Sequence, residues 1–258
     1  SIAVRALGAT LPVHLEIDTG MGRFGIDCGE VAVRAREVVD VLSLGGIELR
    51  GTLTHFHSAD DDPEQTRRQW SRFESALARL EEAGLNPGLV HAANSAASLR
   101  YDGFAGDLVR PGIRLYGGGT WEPRGVPVVT VRARVLDVRT VEAGASVSYG
   151  ATWRAPERTR LATLGIGYGD GLRRELSNRG RVLIHGLEAP IRGVVCMDSV
   201  VVEIGDREDV RPGDVATILG RDGEAEIGLD EMARLCETID YEILAGWRRR
   251  LPRVEVER

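Results

Sequence analysis

The hydrophobic rhythm of this chain changes once, and that change restricts its fold more than any other feature. In the first part, strand-like segments alternate with helical ones. Beyond a stretch at residues 116–127, marked by Gly117-Gly118-Gly119, Pro123 and Pro127, strand follows strand. Alternation of strand and helix demands βαβ units and a parallel sheet, whereas successive short strands separated by turn signals demand a β domain. The chain is therefore expected to be α/β plus all-β, with domains at 1–118 and 125–258.

Particular segments carry this reading. Val13-His14-Leu15-Glu16-Ile17-Asp18 alternates as a strand and runs into a glycine-containing loop, residues 30–42 read as a helix, and 47–55 as a second strand. Asp62 and Pro63 are an N-cap and a first-turn proline; Trp70, Phe73, Leu77 and Leu80 then recur at helical spacing until Gly84. Leu89 to Ala92 reads as a third strand, Asn94 opens a short helix, and Leu108 to Tyr116 reads as a fourth strand. In the second part, Val129, Val131, Ala133 and Val135 alternate with polar residues. Further strands are expected at 160–166, 181–184, 189–195, 199–203 and 214–219, with one helical region near 229–246. Four βα repeats amount to half of an eight-fold barrel, and half a barrel leaves open sheet edges prone to aggregation.

Polar residues gather just after each strand of the first part, at 18–23, 55–62, 94–95 and 110–113. In a parallel barrel that end is where active sites sit. The two glycines of Gly20-Met21-Gly22-Arg23 allow a tight turn that presents Arg23, though a solvated turn arginine would look the same. Asn94-Ser95 and Arg110-Pro111-Gly112-Ile113 are two loops able to offer N–H groups to a phosphate, though the first is also an ordinary N-cap. His55 is placed to stack on a flat ligand or to serve structurally. In the second part, Ser148-Tyr149-Gly150 carries an aromatic hydroxyl in a turn, and Cys196-Met197-Asp198 links two strands.

Composition narrows the chemistry. A formal charge of −6 argues against nucleic-acid binding by phosphate neutralisation. No apolar run is long enough to cross a bilayer. Three scattered cysteines fit neither a disulfide framework nor a metal site, so no metal is expected and the cytoplasm is the expected compartment. All 33 basic residues are arginine, so no lysine amine of this chain can form a Schiff base.

The ordered series VHLEIDTGMGRFGI, THFHSAD, HAANSAA, VRPGIRLYGG, VSYGATW, LGIGYGDGLRRELSNRG, VCMD and IDYEIL resembles the alanine racemase family, from Val13 to the C-terminus. That resemblance implies a pyridoxal 5′-phosphate (PLP) enzyme with a TIM barrel and a C-terminal β domain. Such an enzyme interconverts L- and D-alanine in the cytoplasm to supply peptidoglycan synthesis, as a homodimer with shared active sites. It implies that Tyr149 is the catalytic tyrosine acting on the L-enantiomer in the partner subunit's site. Arg110 would face the PLP ring nitrogen, keep it unprotonated and so discourage side reactions. His55 would lie beside the ring; Ser95, Gly112, Ile113 and Tyr241 would hold the phosphate. Arg23 would contact the cofactor's phenolic oxygen and help seat substrate, with Met197 and Tyr168 as further substrate-side contacts.

Two departures stand out. The family's PLP-binding lysine, which is also the base for the D-enantiomer, has no counterpart here, and the first strand matches a middle strand of the family barrel. The resemblance thus implies the C-terminal portion of a racemase, inactive without a missing N-terminal half-barrel segment. The alternatives are one chain of a split enzyme and a non-catalytic PLP-binding homologue. Secondly, Glu16 stands where many members carry a carbamylated lysine, and is expected to pair with Arg23, directly or through water. Alanine is the expected substrate, with serine as the alternative.

Overall fold

Strand β1 spans Leu11–Asp18 and lies at the heart of a four-stranded sheet in the computed structural model, which describes residues 8–256. The other strands are β2 (Ile26–Asp27), β3 (Ile47–Leu53) and β4 (Leu89–His91), in the order β2-β1-β3-β4, every pairing parallel. Helices α1 (Val31–Ser43) and α2 (Pro63–Glu82) cross between successive strands, and α3 (Ser95–Arg100) follows β4. This is the α/β, partial-barrel pattern expected from the alternation.

Helix α2 starts where the sequence places it. The Asp62 carboxylate accepts from Glu64 N (3.0 Å) and Gln65 N (2.9 Å), satisfying two amides that the helix itself cannot. Such a cap is worth about 1 kcal/mol. The helix ends at Gly84, whose φ of +80° suits a residue without Cβ. Phe73, Ala76 and Leu80 form its buried stripe and meet Ile17, Phe56, Ala92 and Ala96 in the core of this part.

The segment from Leu108 to Tyr116 is not a strand. It is a loop ending in a 3-10 turn, Ile113–Tyr116. Pro111 has no N–H for a ladder. Instead, the Asp107 carboxylate accepts from Val90 N (2.7 Å), Asp107 N donates to Val90 O (2.7 Å), and Arg110 N donates to Ala93 O (2.9 Å). The fourth parallel strand is the two-residue β2, on the opposite edge.

The chain divides into two units: one runs to Leu115 and includes Trp121–Pro123, the other holds Tyr116–Thr120 and everything from Arg124. The second unit is antiparallel. Its strands are β5 (Val131–Val141), β8 (Thr159–Leu164), β9 (Arg181–Ile184), β10 (Leu187–Pro190), β11 (Val200–Gly205) and β12 (Val215–Asp222), in the order β10-β9-β12-β5-β8-β11, with β13 (Ala225–Ile227) on β12. A bridge between Ile191 and Val202 joins the two ends of that path, so the sheet closes on itself. Along β5, Val131, Ala133 and Val135 face the core while Arg132 and Arg134 face out. The expected helical region is two helices, α4 (Leu229–Leu235) and α5 (Asp240–Gly246), broken where Glu237 adopts a φ of +54°. A small ribbon, β6 (Ser146–Val147) with β7 (Trp153–Arg154), brackets Tyr149.

Candidate active site

In the first unit, the C-terminal ends of β1, β3 and β4 bring together Glu16, Thr54, His55 and His91, and the loop after α3 adds Arg110. The Arg110 guanidinium is held by three acceptors. Its Nη1 lies 2.5 Å from His91 Nδ1, and its Nη2 donates to Thr54 O (2.8 Å) and Ala92 O (3.1 Å). An arginine can only donate, so His91 Nδ1 accepts. The uncharged His91 ring then carries its hydrogen on Nε2 and donates to His14 Nδ1, 2.7 Å away. Burial, then Arg110 and His14, push the His91 pKa down to about 4, against a weaker pull from Asp107. Burial also lowers the Arg110 pKa, opposed by Glu16. Among the described residues the network leaves Arg110 Nε–H and one Nη1–H available to an acceptor.

His14 on β1 reaches His91 on β4 across the intervening strand because of one glycine. Gly51 of β3 is the register partner of both His14 and Leu89. A Cβ there would lie 2.6 Å from the His14 ring and 2.5 Å from Leu89 O. Neither His14 nor His91 stands out as a functional residue in the sequence. The signal that was available is the place of His91, four residues before Ser95 within one motif.

Helix α2 fixes the two neighbouring strand ends. Buried Gln69 donates to Thr19 Oγ1 (3.2 Å) and His55 O (3.1 Å) and accepts from His57 N (3.0 Å). A buried amide satisfied on both ends locks the loops it joins. Asp18 shapes the turn before Arg23: burial raises its pKa, but N–H groups of Gly20, Gly22 and Met21 outweigh this and hold it below the usual value. Arg23 is exposed, its guanidinium 5.9 Å from the Phe24 ring centre. His55 is half-buried; burial, then the charges of Arg110 and Arg23, lower its pKa. The expected Glu16–Arg23 ion pair is not formed directly among the described residues. Glu16 lies close enough to Arg110 to raise its pKa. Glu16 lies within β1, whereas the tight Asp18 turn carries Arg23 away into solvent.

Ser95 is brought to Gly112 and Ile113. Its buried Oγ accepts from Gly112 N (2.8 Å) and, at longer range, from Arg114 N (3.4 Å), leaving its own O–H to donate elsewhere. A Cβ added at Gly112 would meet nothing within 4 Å, so the space beside this backbone is open. These are the makings of an anion cradle.

The remaining predicted residues belong to the second unit. Tyr149 is 72% exposed, follows Ser148 at φ +63° and ψ −174°, and lines an open cleft of ≈ 520 Å³ with Cys196, Met197, Asp198 and Ser199. That backbone region is essentially reserved for glycine. Ser148 holds it by donating to Val194 O at 2.6 Å. Met197 is thus brought together with Tyr149. Tyr168 packs its backbone against the same loop, its N–H donating to Cys196 O at 2.9 Å. Tyr241, half exposed, sits in the first turn of α5, apart from that cleft's lining. Among the described residues, no group of acidic, cysteine and histidine side chains is arranged to hold a metal, and no helix is long and apolar enough to cross a membrane.

Comparison with known proteins extends these observations. Residues 1–120 match the family described as alanine racemase, N-terminal domain, and residues 128–255 match alanine racemase, C-terminal domain. A curated alanine racemase of Symbiobacterium thermophilum is 43% identical over 255 residues, which is 96% of this chain and 67% of that protein. The solved alanine racemase of D-cycloserine-producing Streptomyces lavendulae superposes with a TM-score of 0.91 at 35% identity, over 99% of this chain and 69% of that one. That of Bartonella henselae, with covalently bound pyridoxal phosphate, gives a TM-score of 0.83 at 31% identity, over 99% and 69% of the two chains. The chain spans about two thirds of the length of these relatives. At such identity, and with both domain families matched in order, the chain belongs to the alanine racemase family.

Proposed function

We propose that this chain supplies the ring-nitrogen contact, the phosphate cradle and one of the two bases of a PLP-dependent alanine racemase. The observation that carries this reading is Arg110, fixed by His91, Thr54 and Ala92 with N–H groups to spare. The residues fit the cofactor: a donor-only cation suits an unprotonated ring nitrogen, and Gly112, tied to Ser95 Oγ and followed by Ile113, borders open space suited to a phosphate. When bound, PLP supplies the electron sink that acidifies the α-hydrogen of alanine.

The chain's own groups then have separate tasks. Arg110 orients the ring and keeps protons off its nitrogen. Ser95, Gly112 and Ile113, with Tyr241, hold the phosphate. His55 lies beside the ring, and Arg23 seats the substrate side. Tyr149 takes or returns a proton at the α-carbon, on the L side, with its phenolic oxygen. Met197 and Tyr168 shape the cleft around it. In a homodimer, Tyr149 acts in the partner's site. These 258 residues contain no lysine, so the second base and the amine that binds PLP covalently come from outside them, as an upstream segment or a second chain. The barrel part is taken as 1–118, the β domain as 125–258, and the compartment as the cytoplasm.

The test is racemisation of L-alanine by the natural protein that carries this chain, loaded with PLP. Tyr149→Phe should slow removal of the L-enantiomer's α-hydrogen by at least about 100-fold, the usual worth of a positioned base. Wild-type turnover that survives this change unaltered refutes the role. The absence of lysine favours a second reading, a PLP-binding homologue without turnover. Retained PLP with no D-alanine formed by the natural protein would establish it.

A further inference from the structure

Three segments of the second unit interlock at the 196–199 loop, which lines the Tyr149 cleft. The turn at 167–171 is tied to the loop at 196–199 by Tyr168 N to Cys196 O and Gly169 N to Met197 O, both 2.9 Å. The C-terminal segment lies against the first turn: Arg248 N donates to Asp170 O at 2.9 Å, and a Cβ on Gly171 would lie 2.4 Å from Gly246 O. Arg250 then bridges both turns. Its Nε lies 3.2 Å from Asp170 Oδ1 and its Nη2 donates to Asp198 Oδ1 at 2.5 Å. Asp170 is buried, and its other oxygen accepts from Gly167 N at 3.0 Å. Glycines at 167 and 169 make the approach possible: a Cβ at Gly167 would lie 2.3 Å from Cys196 O, and one at Gly169 would lie 2.2 Å from Arg250 Nη1.

We propose that Arg250 is a positioning residue that clamps the Tyr168 and Met197 turns together and so sets the floor of the Tyr149 cleft. This rests on the reading of Met197 and Tyr168 as substrate contacts. Magnitude argues for geometry over stability. Arg250 and Asp198 are both substantially exposed, and exposed ion pairs add little to folding. What the fork provides is registry between two loops, one anchored by a buried carboxylate. Both carboxylates raise the Arg250 pKa, so the guanidinium stays charged.

Cys196, half-buried in the clamped loop, reports on the clamp without any cofactor. In the native protein, Arg250→Gln should speed Cys196 alkylation by iodoacetamide about fivefold, or about 1 kcal/mol of local opening. Arg250→Lys should recover part of the wild-type rate. Asp198→Asn should match Arg250→Gln, and the double variant should be no faster than either. Buried Cys236 should keep its wild-type rate in all of them, excluding general unfolding. An unchanged Cys196 rate, or effects that multiply in the double variant, overturns the clamp. In the PLP-loaded natural protein, the same variants should raise KM for alanine with kcat little altered. Faster Cys196 alkylation with an unmoved KM would leave the clamp standing and overturn the substrate role of the two turns.

Discussion

His91 should make the first unit acid-labile. Its ring is buried, accepts from a permanently charged arginine and donates to His14, so a proton added to it must break the Arg110 contact. The pKa falls from 6.5 to about 4 for this reason. Each pKa unit is worth about 1.4 kcal/mol, so the whole effect is about 3 kcal/mol. The sign follows from proton counting. With the folded pKa below the unfolded one, the unfolded state binds more protons between them. Above pH 6.5 nothing is lost; stability then falls as pH drops and levels off below about 4. His91→Gln keeps an acceptor for Arg110 and an N–H for His14 but cannot take up a proton. Urea unfolding followed by Trp70 and Trp121 fluorescence, from about pH 7.5 to about pH 4.5, should show wild type losing about 2.5 kcal/mol more than this variant. Histidine ring NMR should place His91 near 4, well separated from an ordinary histidine. Parallel stability curves, or a His91 ring that titrates at 6.5 or higher with Arg110 in place, would refute the argument.

Gly51→Ala should separate the two histidines, because the new Cβ would meet the His14 ring and Leu89 O at 2.6 and 2.5 Å. A loss of about 1–3 kcal/mol in urea unfolding and a rise in the His91 pKa toward 6.5 are expected. Ser95→Ala should weaken PLP binding about tenfold while leaving pyridoxal, which lacks the phosphate, unaffected in fluorescence titrations. Equal losses for both ligands would show that Ser95 does not face a phosphate.

Local signals were legible where one segment decides its own structure. Asp62 and Pro63 start α2 because a carboxylate and a ring-fixed φ act within one turn. The alternation from Val131 to Val135 names a strand because one face must be buried. What escaped the sequence depends on partners far along the chain. The two residues of β2 are too few to show a period, and they pair only because β1 offers an open edge. The segment before Tyr116 looks like a strand by its apolar residues, yet the Asp107 side chain takes the place a ladder would fill. His14 and His91 stand 77 residues apart and meet only across Gly51, which by itself reads as a weak spot in a strand. The influence of Glu16 on Arg110 escapes the sequence for a similar reason: the two stand far apart in the chain and are brought together only by the sheet.

The Tyr149 turn shows how such long-range terms place the side chain proposed as a base. Ser148 occupies a backbone region that costs about 1–3 kcal/mol for a residue with a side chain. The surroundings hold it there. Gly193 comes so close that a Cβ on it would lie 2.7 Å from Ser148 Cβ, so only glycine permits the approach. Asn178 accepts from Gly193 N at 2.6 Å and donates to Thr152 Oγ1 at 3.0 Å, tying the far side of the turn to the same glycine. Tyr149 itself contributes nothing to this lattice: its side chain is exposed, and its hydroxyl has no hydrogen-bond partner among the described residues. Backbone strain held through a serine, a glycine and an asparagine, with an unengaged phenol presented as the result, is the arrangement that the proposed role of Tyr149 calls for. Positioning of this kind has a physical use when the phenol must reach an atom of a bound molecule, and little use when a tyrosine is merely surface.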